Sequence, residues 1–362
     1  ERGYIKRVPA EAYRSQRRGG KGVTGMTTRE EDTVEMIHAA NSLDHVLFFT
    51  DQGKVYAERA YMIPEASRGG KGTLINAFLA LQPEEYVTAI ASVPTFEDVE
   101  GYFVLCTRKG RIKRVPVSAF ASVRSNGLIA MALERDDYLR WVKHSSGDQD
   151  LILVTRKGQA IRFNENDVRV MGRPAAGVNA IRLRGDDELT GMDVIDDPHD
   201  TLLVITENGY GKRTPLTEYG VQRRFGLGIR TLSKDMHKTG PIIGASVVKP
   251  DDSLTLITAG GIVLRTDVRS ISIYGRATSG VKMIDLADND VLVSIAVLSG
   301  GANGDDGLRR ADTGDDGHYS GVVASDETYA GAGEYGDAEL DGLDEDGFYD
   351  DEALDDLYNG SA

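Results

Sequence analysis

Leu151-Ile152-Leu153-Val154-Thr155-Arg156-Lys157-Gly158, followed by Gln159-Ala160-Ile161-Arg162-Phe163, is the stretch on which the fold turns. An apolar, β-branched run ends in Thr-x-x-Gly, and a second run with an arginine inside it starts at once. Two such runs around a short glycine-bearing turn predict a β-hairpin, because glycine accepts the positive φ that tight turns need. Nineteen residues beyond Gly158 stands a second glycine, Gly177, preceded by another arginine, Arg173.

The layout recurs along the chain. The glycine pairs are Gly3 and Gly22, Gly53 and Gly72, Gly158 and Gly177, Gly209 and Gly228, and Gly261 and Gly280, with a shorter pair at Gly110 and Gly127. Arg7, Arg114, Arg162, Arg213 and Arg265 each lie four residues after the first glycine, where the second unit has Ala57. Arg18, Arg68, Arg173, Arg224 and Arg276 lie four before the second glycine, and Arg124 lies three before Gly127. Thr50, Thr107, Thr155, Thr206 and Thr258 close the first strands. A third strand is predicted after the second glycine (Gly177 to Leu183, Gly280 to Leu286), and a fourth at Tyr86 to Val93, Tyr138 to Lys143 and Val291 to Leu298.

Repeats of roughly 40–50 residues indicate blades or a solenoid. Six units of four strands predict an all-β, propeller-like ring of six four-stranded blades, since closure leaves only short sheet edges exposed. A sandwich or an open solenoid is the other arrangement such repeats allow. The first unit opens inside a turn, at Glu1-Arg2-Gly3, without the apolar strand that should precede it. The chain therefore reads as the C-terminal part of a longer polypeptide, its first blade truncated.

The net charge of −15 hides a division. Of 57 acidic and 42 basic residues, 19 and 2 lie in Gly301–Ala362, leaving 38 and 40 on the first 300 residues. The expected organisation is a near-neutral body over 1–299 and an acidic tail over 300–362, too poor in aliphatics to offset ordering entropy. Phe348, Tyr349, Leu354, Leu357 and Tyr358 are threaded among the tail's acids. That mixture suits docking on the body's own basic rim, or else the tail is a solvated appendage. The single cysteine, Cys106, excludes an internal disulfide framework and a thiolate zinc site. No apolar run approaches the ~20 residues needed to span a bilayer, so no membrane partner is expected.

One loop carries the chemistry. Gln16-Arg17-Arg18-Gly19-Gly20-Lys21-Gly22 is echoed by Ser67-Arg68-Gly69-Gly70-Lys71-Gly72. Glycines expose backbone N–H groups while Arg17, Arg18 and Lys21 supply charge, a combination suited to phosphate oxygens. A nucleotide P-loop is excluded: Lys21 and Lys71 are each followed by glycine, and neither loop leads into a helical pattern. Wrapping duplex DNA fits better. Bending a 20–30 bp site by 40–90° costs on the order of 1–6 kcal/mol, so attraction must be spread along the path, and repeated arginines spread it through phosphates. Each strand arginine has two readings, phosphate contact or a structural tie between blades or to acids such as Glu134 or Asp167.

The heptad 16–22 resembles the signature box of the family formed by the C-terminal domain of bacterial DNA gyrase A. The sixth unit, Gly261 to Arg276, resembles that family too, and the likeness covers residues 1–299. It implies a six-bladed β-pinwheel that wraps duplex DNA, so that the holoenzyme's ATP-dependent strand passage introduces negative supercoils. DNA-binding residues are then expected at Gln16, Arg17, Arg18, Gly19, Gly20, Lys21, Gly22, Arg68, Lys71, Arg124, Arg173, Arg223, Arg224 and Arg276. Gln222-Arg223-Arg224-Phe225-Gly226-Leu227-Gly228 is the nearest of the later fragments of the box. The resemblance further implies no catalytic residue and no cofactor on this chain, ATP and Mg being used elsewhere in an A2B2 holoenzyme with gyrase B. It also implies a cytoplasmic, nucleoid-associated place in a bacterium. The topoisomerase IV domain, whose box is not intact, and a protein-binding propeller with an acidic recruiting tail are the alternatives.

Nothing else in the sequence competes. The six histidines are dispersed without metal-ligand spacing, and Trp141 is expected in the core. Asp344-Glu345-Asp346-Gly347 has part of a calcium-loop pattern without its full ligand series. No nucleophile stands beside a base.

Overall fold

The hairpins form where the Thr-x-x-Gly turns place them. In the computed structural model, which describes residues 3–9, 36–67, 70–97, 99–260, 262–287, 290–298 and 319–325, Gly158 has φ 83° and donates its N–H to the Thr155 carbonyl at 3.0 Å. The Thr155 hydroxyl accepts from the Gln159 N–H at 3.1 Å. Thr50, Thr107, Thr206 and Thr258 accept in the same way from Lys54, Arg111, Tyr210 and Ile262. The recurring threonine is thus the buried residue that satisfies its own hydroxyl inside the turn.

Five blades follow one plan. Blade 1 holds, from its inner to its outer edge, Val87–Val93, His45–Thr50, Lys54–Arg59 and Leu128–Ile129. Blade 2 holds Leu139–Ser145, Tyr102–Thr107, Arg111–Pro116 and Val178–Asn179. Blade 3 holds Leu189–Ile195, Asp150–Thr155, Gln159–Asn164 and Ile229–Arg230, and blade 4 holds Ile242–Val248, Thr201–Thr206, Tyr210–Pro215 and Val281–Lys282. Blade 5 has three described strands, Leu292–Leu298, Ser253–Thr258 and Val263–Asp267. The long strands of successive blades contact one another, which makes theirs the inner edge and the short strands' the outer rim.

The third strand departs from expectation. It does not stay with its own unit but crosses to the outer edge of the preceding blade, where Val178 and Asn179 pair with Ile112 and Arg111. This crossing explains the second glycine of each pair among the described residues. Gly177, at φ 83°, lies so close to the preceding blade that a Cβ would come within 2.5 Å of the Ile112 carbonyl oxygen. Gly72, Gly228 and Gly280 meet Ile5, Ala160 and Gly211 in the same way. Between neighbouring sheets lie separate apolar cores. One joins Phe49, Phe103, Phe120 and Val115; another joins Cys106, Ile112, Leu153 and Phe163, with Trp141 packed against it.

The expected six-bladed ring is corrected to a five-bladed propeller. The first unit does not repeat the plan: among the described residues Tyr4–Pro9 forms no hairpin with a strand of its own unit. It pairs instead with Tyr319–Ser325, from beyond the repeats, which pairs on its other side with Met36–Asn41, while Thr73–Leu74 crosses over from the second unit. A strand recruited from 319–325 takes the place that a repeat hairpin holds in the other sheets. Among the described residues blade 5 lacks the fourth strand expected of every blade. Residues 10–35, the box among them, and 299–318 and 326–362, most of the tail, lie outside the described residues.

Candidate nucleic-acid interface

Each crossing strand is preceded by a loop at the outer rim, and these loops carry the candidate residues. The heptad 16–22 and Arg68 lie outside the described residues. Lys71 is half-buried with its ammonium 4.1 Å from the centre of the Tyr4 ring. Arg173 is half-buried and Arg223 exposed, and neither side chain has a hydrogen-bond or ion-pair partner among the described residues. Arg276 lies 4.0 Å from Glu218, a loose and partly exposed pair. Lys71 stands on the loop before the crossing strand of the first sheet, and Arg173, Arg223 and Arg276 stand on the corresponding loops of blades 2, 3 and 4.

Two of the expected contacts are engaged otherwise. Arg124 is exposed but folds back on its own turn, donating to the carbonyls of Ala121 at 2.9 Å and Val123 at 2.7 Å. Arg224 reaches the Asp167 carbonyl at 3.2 Å and the Asn179 carbonyl, so its guanidinium ties its loop to the preceding blade.

The strand arginines are structural in four units. Arg114 donates to the carbonyl of Val168 at 2.6 Å and to Asn166 at 2.9 Å, and pairs with the fully buried Glu165 at 3.4 Å. Arg213 reaches the Ile271 carbonyl at 2.9 Å, Arg162 the Leu216 carbonyl at 3.1 Å, and Arg7 the Glu65 carboxylate at 3.0 Å. Every one of these partners beyond the strand belongs to the next unit. An isolated parallel bridge at the same arginines (Arg7 with Glu65, Arg114 with Val170, Arg162 with Val221, Arg213 with Ile273) completes the seam. Arg265, in blade 5, is exposed and touches Ser253 at 3.3 Å.

A further set of cations escaped the sequence reading. Lys6, Lys113 and Lys212 stand three residues after the first glycine of their units, each next to the strand arginine, and all are buried. The Lys113 ammonium donates to the carbonyls of Gly172 at 3.1 Å and Ala175 at 2.9 Å and to that of Arg173, all in the rim loop of the next unit. Lys212 donates to the Gly275 carbonyl at 2.8 Å, to the Thr278 hydroxyl at 3.2 Å and to the Arg276 carbonyl. Lys6 holds the Ser67 and Gly70 carbonyls at 3.3 and 2.8 Å. Burial pulls Lys113 down to about 7, with Arg173 adding to the effect, and pulls Lys212 down to about 8. The equivalent position is Tyr56 in blade 1, its ring packed under Gly127, and Ile161 in blade 3, against Gly226. The three-residue offset was readable, but a lysine on a strand reads as a solvated edge until the next blade is placed over it.

Comparison with known proteins agrees with this architecture. The family model described as "DNA gyrase C-terminal domain, beta-propeller" matches residues 1–36, 44–94, 101–145, 149–196, 200–249 and 252–299. The DNA gyrase A protein of Mycolicibacterium smegmatis is 43% identical over 298 residues, covering 82% of this chain and 35% of that protein. Its counterpart in Staphylococcus epidermidis is 40% identical over 297 residues, covering 82% of the chain and 33% of that protein. The chain therefore spans about a third of the length of these relatives. Among solved structures, the C-terminal domain of DNA topoisomerase IV superposes with a TM-score of 0.67 at 26% identity, over 71% of this chain and 80% of that one. The DNA gyrase A C-terminal domain superposes with a TM-score of 0.63 at 24% identity, over 82% of this chain and all of that one, a likeness of fold. With matched segments running through all of its repeats, the chain belongs to the DNA gyrase C-terminal domain family of β-propellers.

Proposed function

We propose that this chain wraps duplex DNA around the outer rim of its propeller, as the wrapping domain of a gyrase A protein. The observation that carries the reading is the recurrence of Lys71, Arg173, Arg223 and Arg276 on loops at equivalent outer-edge stations. A duplex following the rim meets a cation beside the first sheet and on blades 2, 3 and 4 and needs no base contact, which spreads the bending cost along the path. The box 16–22 has a sequence of the same kind, glycine-rich and triply cationic. In the whole enzyme the wrapped DNA would present a crossing of fixed sign to the cleavage core of an A2B2 assembly with gyrase B, in the bacterial cytoplasm. Strand cleavage and ATP hydrolysis would lie elsewhere in that assembly.

The test is topological. Relaxed circular plasmid is religated in the presence of the full chain, and a shift of the linking-number distribution to one sign is expected. Affinity should rise from ~20 bp to ~100 bp duplexes, and log K should fall with log salt by ~0.9 per phosphate neutralised. Equal affinity for both lengths, with no response to salt, would point to the protein-binding propeller instead. The acidic tail would compete with DNA for the rim, most strongly at low salt. Truncation after Glu327 keeps the strand 319–325 in its sheet, and is expected to raise DNA affinity at low salt.

A further inference from the structure

Resting on the wrapping reading, we propose that Lys113 and Lys212 are positioning residues for DNA binding, each setting the rim loop of the next blade so that Arg173 and Arg276 face the duplex. The geometry separates this role from ordinary core packing. Each ammonium is enclosed by acceptors that all belong to one short loop, 172–175 for Lys113 and 275–278 for Lys212. In both cases the carbonyl of the rim arginine itself is among the acceptors. A backbone fixed at that residue limits where its side chain can point. Neither lysine touches a partner that would hold it for another purpose: apart from the Thr278 hydroxyl, every acceptor found for the two is a loop carbonyl.

The loops need such a seat. They must approach phosphates, so they keep an exposed backbone with few apolar anchors; Gly172, Gly275 and Ala277 are exposed. A loop with unfilled carbonyls directed at the protein interior would otherwise carry their desolvation cost. One buried cation satisfies two or three carbonyls at once and leaves the outward face free for its arginine. The charge is thus hidden from DNA while its effect is delivered through the arginine above it. Blade 1 supports the assignment by contrast. Where Tyr56 replaces the lysine, Arg124, three residues before Gly127, is folded back onto its own turn.

A double-mutant cycle on the full chain decides the matter. Lys113→Met keeps the length of the side chain and removes its donors. It is expected to lower affinity for a ~100 bp duplex about three- to tenfold and to reduce the log–log salt slope by about one, as Arg173→Ala does. If the lysine acts through the arginine, the double variant loses no more than Arg173→Ala alone, whereas an independent structural role gives additive losses. Hydrogen exchange should speed up in 172–177 and stay unchanged in the hairpin 151–163. Normal affinity of Lys113→Met beside a weakened Arg173→Ala, or additive losses, overturns the proposal while leaving wrapping intact. Absence of salt-dependent duplex binding by the unaltered chain defeats the wrapping reading and the proposal with it. Should Lys113→Met fail to fold, the same cycle at Lys212 and Arg276, in another blade, decides between the two outcomes.

Discussion

Arg114 and Arg173 belong to the same periodic scheme, yet one is locked in a seam and the other stands at a rim. Arg114 is buried, bonded to Val168 and Asn166 and paired with Glu165, all in the next unit. Arg173, in that same next unit, is half-buried without a side-chain partner among the described residues. Regular recurrence of a charged residue therefore does not assign it one role. In a propeller built of exchanged strands, the repeat period serves the joints between blades as well as the surface they present.

If seam and rim are distinct, their substitutions should part stability from binding. The largest effect is expected at the seam. Arg114→Met leaves Glu165 buried without its cation and should cost about 3–5 kcal/mol of unfolding free energy in a denaturant titration. The variant that remains folded should keep its salt slope for DNA. A reduced slope in that folded variant would break the distinction.

The crossing comes next. Gly177→Ala places a Cβ 2.5 Å from the Ile112 carbonyl oxygen at a residue whose φ is 83°, and about 2–4 kcal/mol should be lost. Gly185→Ala, at φ 59° with nothing within 4 Å of the added Cβ, should cost clearly less in the same titration. Equal losses would show that backbone conformation, and not the close approach of two blades, fixes the second glycine.

Lys113 sits where seam and rim meet, and its titration sharpens the contrast. Burial lowers it to about 7 in the folded chain, against ~10.4 for an exposed lysine. Between these values the unfolded chain binds the extra proton, so Lys113 makes stability rise as pH increases from about 7 toward 10. Chemical denaturation at pH 7 and pH 9 should show a smaller rise in Lys113→Met than in the unaltered chain. An identical rise in both would place the titrating group elsewhere.

The smallest change in stability is expected at the rim itself. Arg223 is exposed and unpaired among the described residues, so Arg223→Ala should move the unfolding free energy by no more than about 0.5 kcal/mol. Duplex affinity should nevertheless fall, with the salt slope reduced by about one. Loss of stability without loss of slope would turn the comparison around.

The local chemistry of each unit was legible in the residues alone. Thr155 and Gly158 define a turn within a few residues of chain, and the alternation around them defines its strands; neither depends on distant contacts. The glycine at Gly177 and the arginines were visible too. What the second glycine and the strand arginines are for was not legible. Their partners are the carbonyls of Ile112 and Val168, some 50–65 residues away, brought near only because a two-residue strand leaves its own unit. The expected six equal blades failed for a related reason. A repeat count reads units one at a time, whereas a sheet needs an actual strand at every place, and beside Tyr4–Pro9 that strand comes from 319–325. The buried lysines mark the limit most clearly. Sequence places Lys113 on a strand, but only the docking of the next blade turns an apparently exposed ammonium into the seat of a loop.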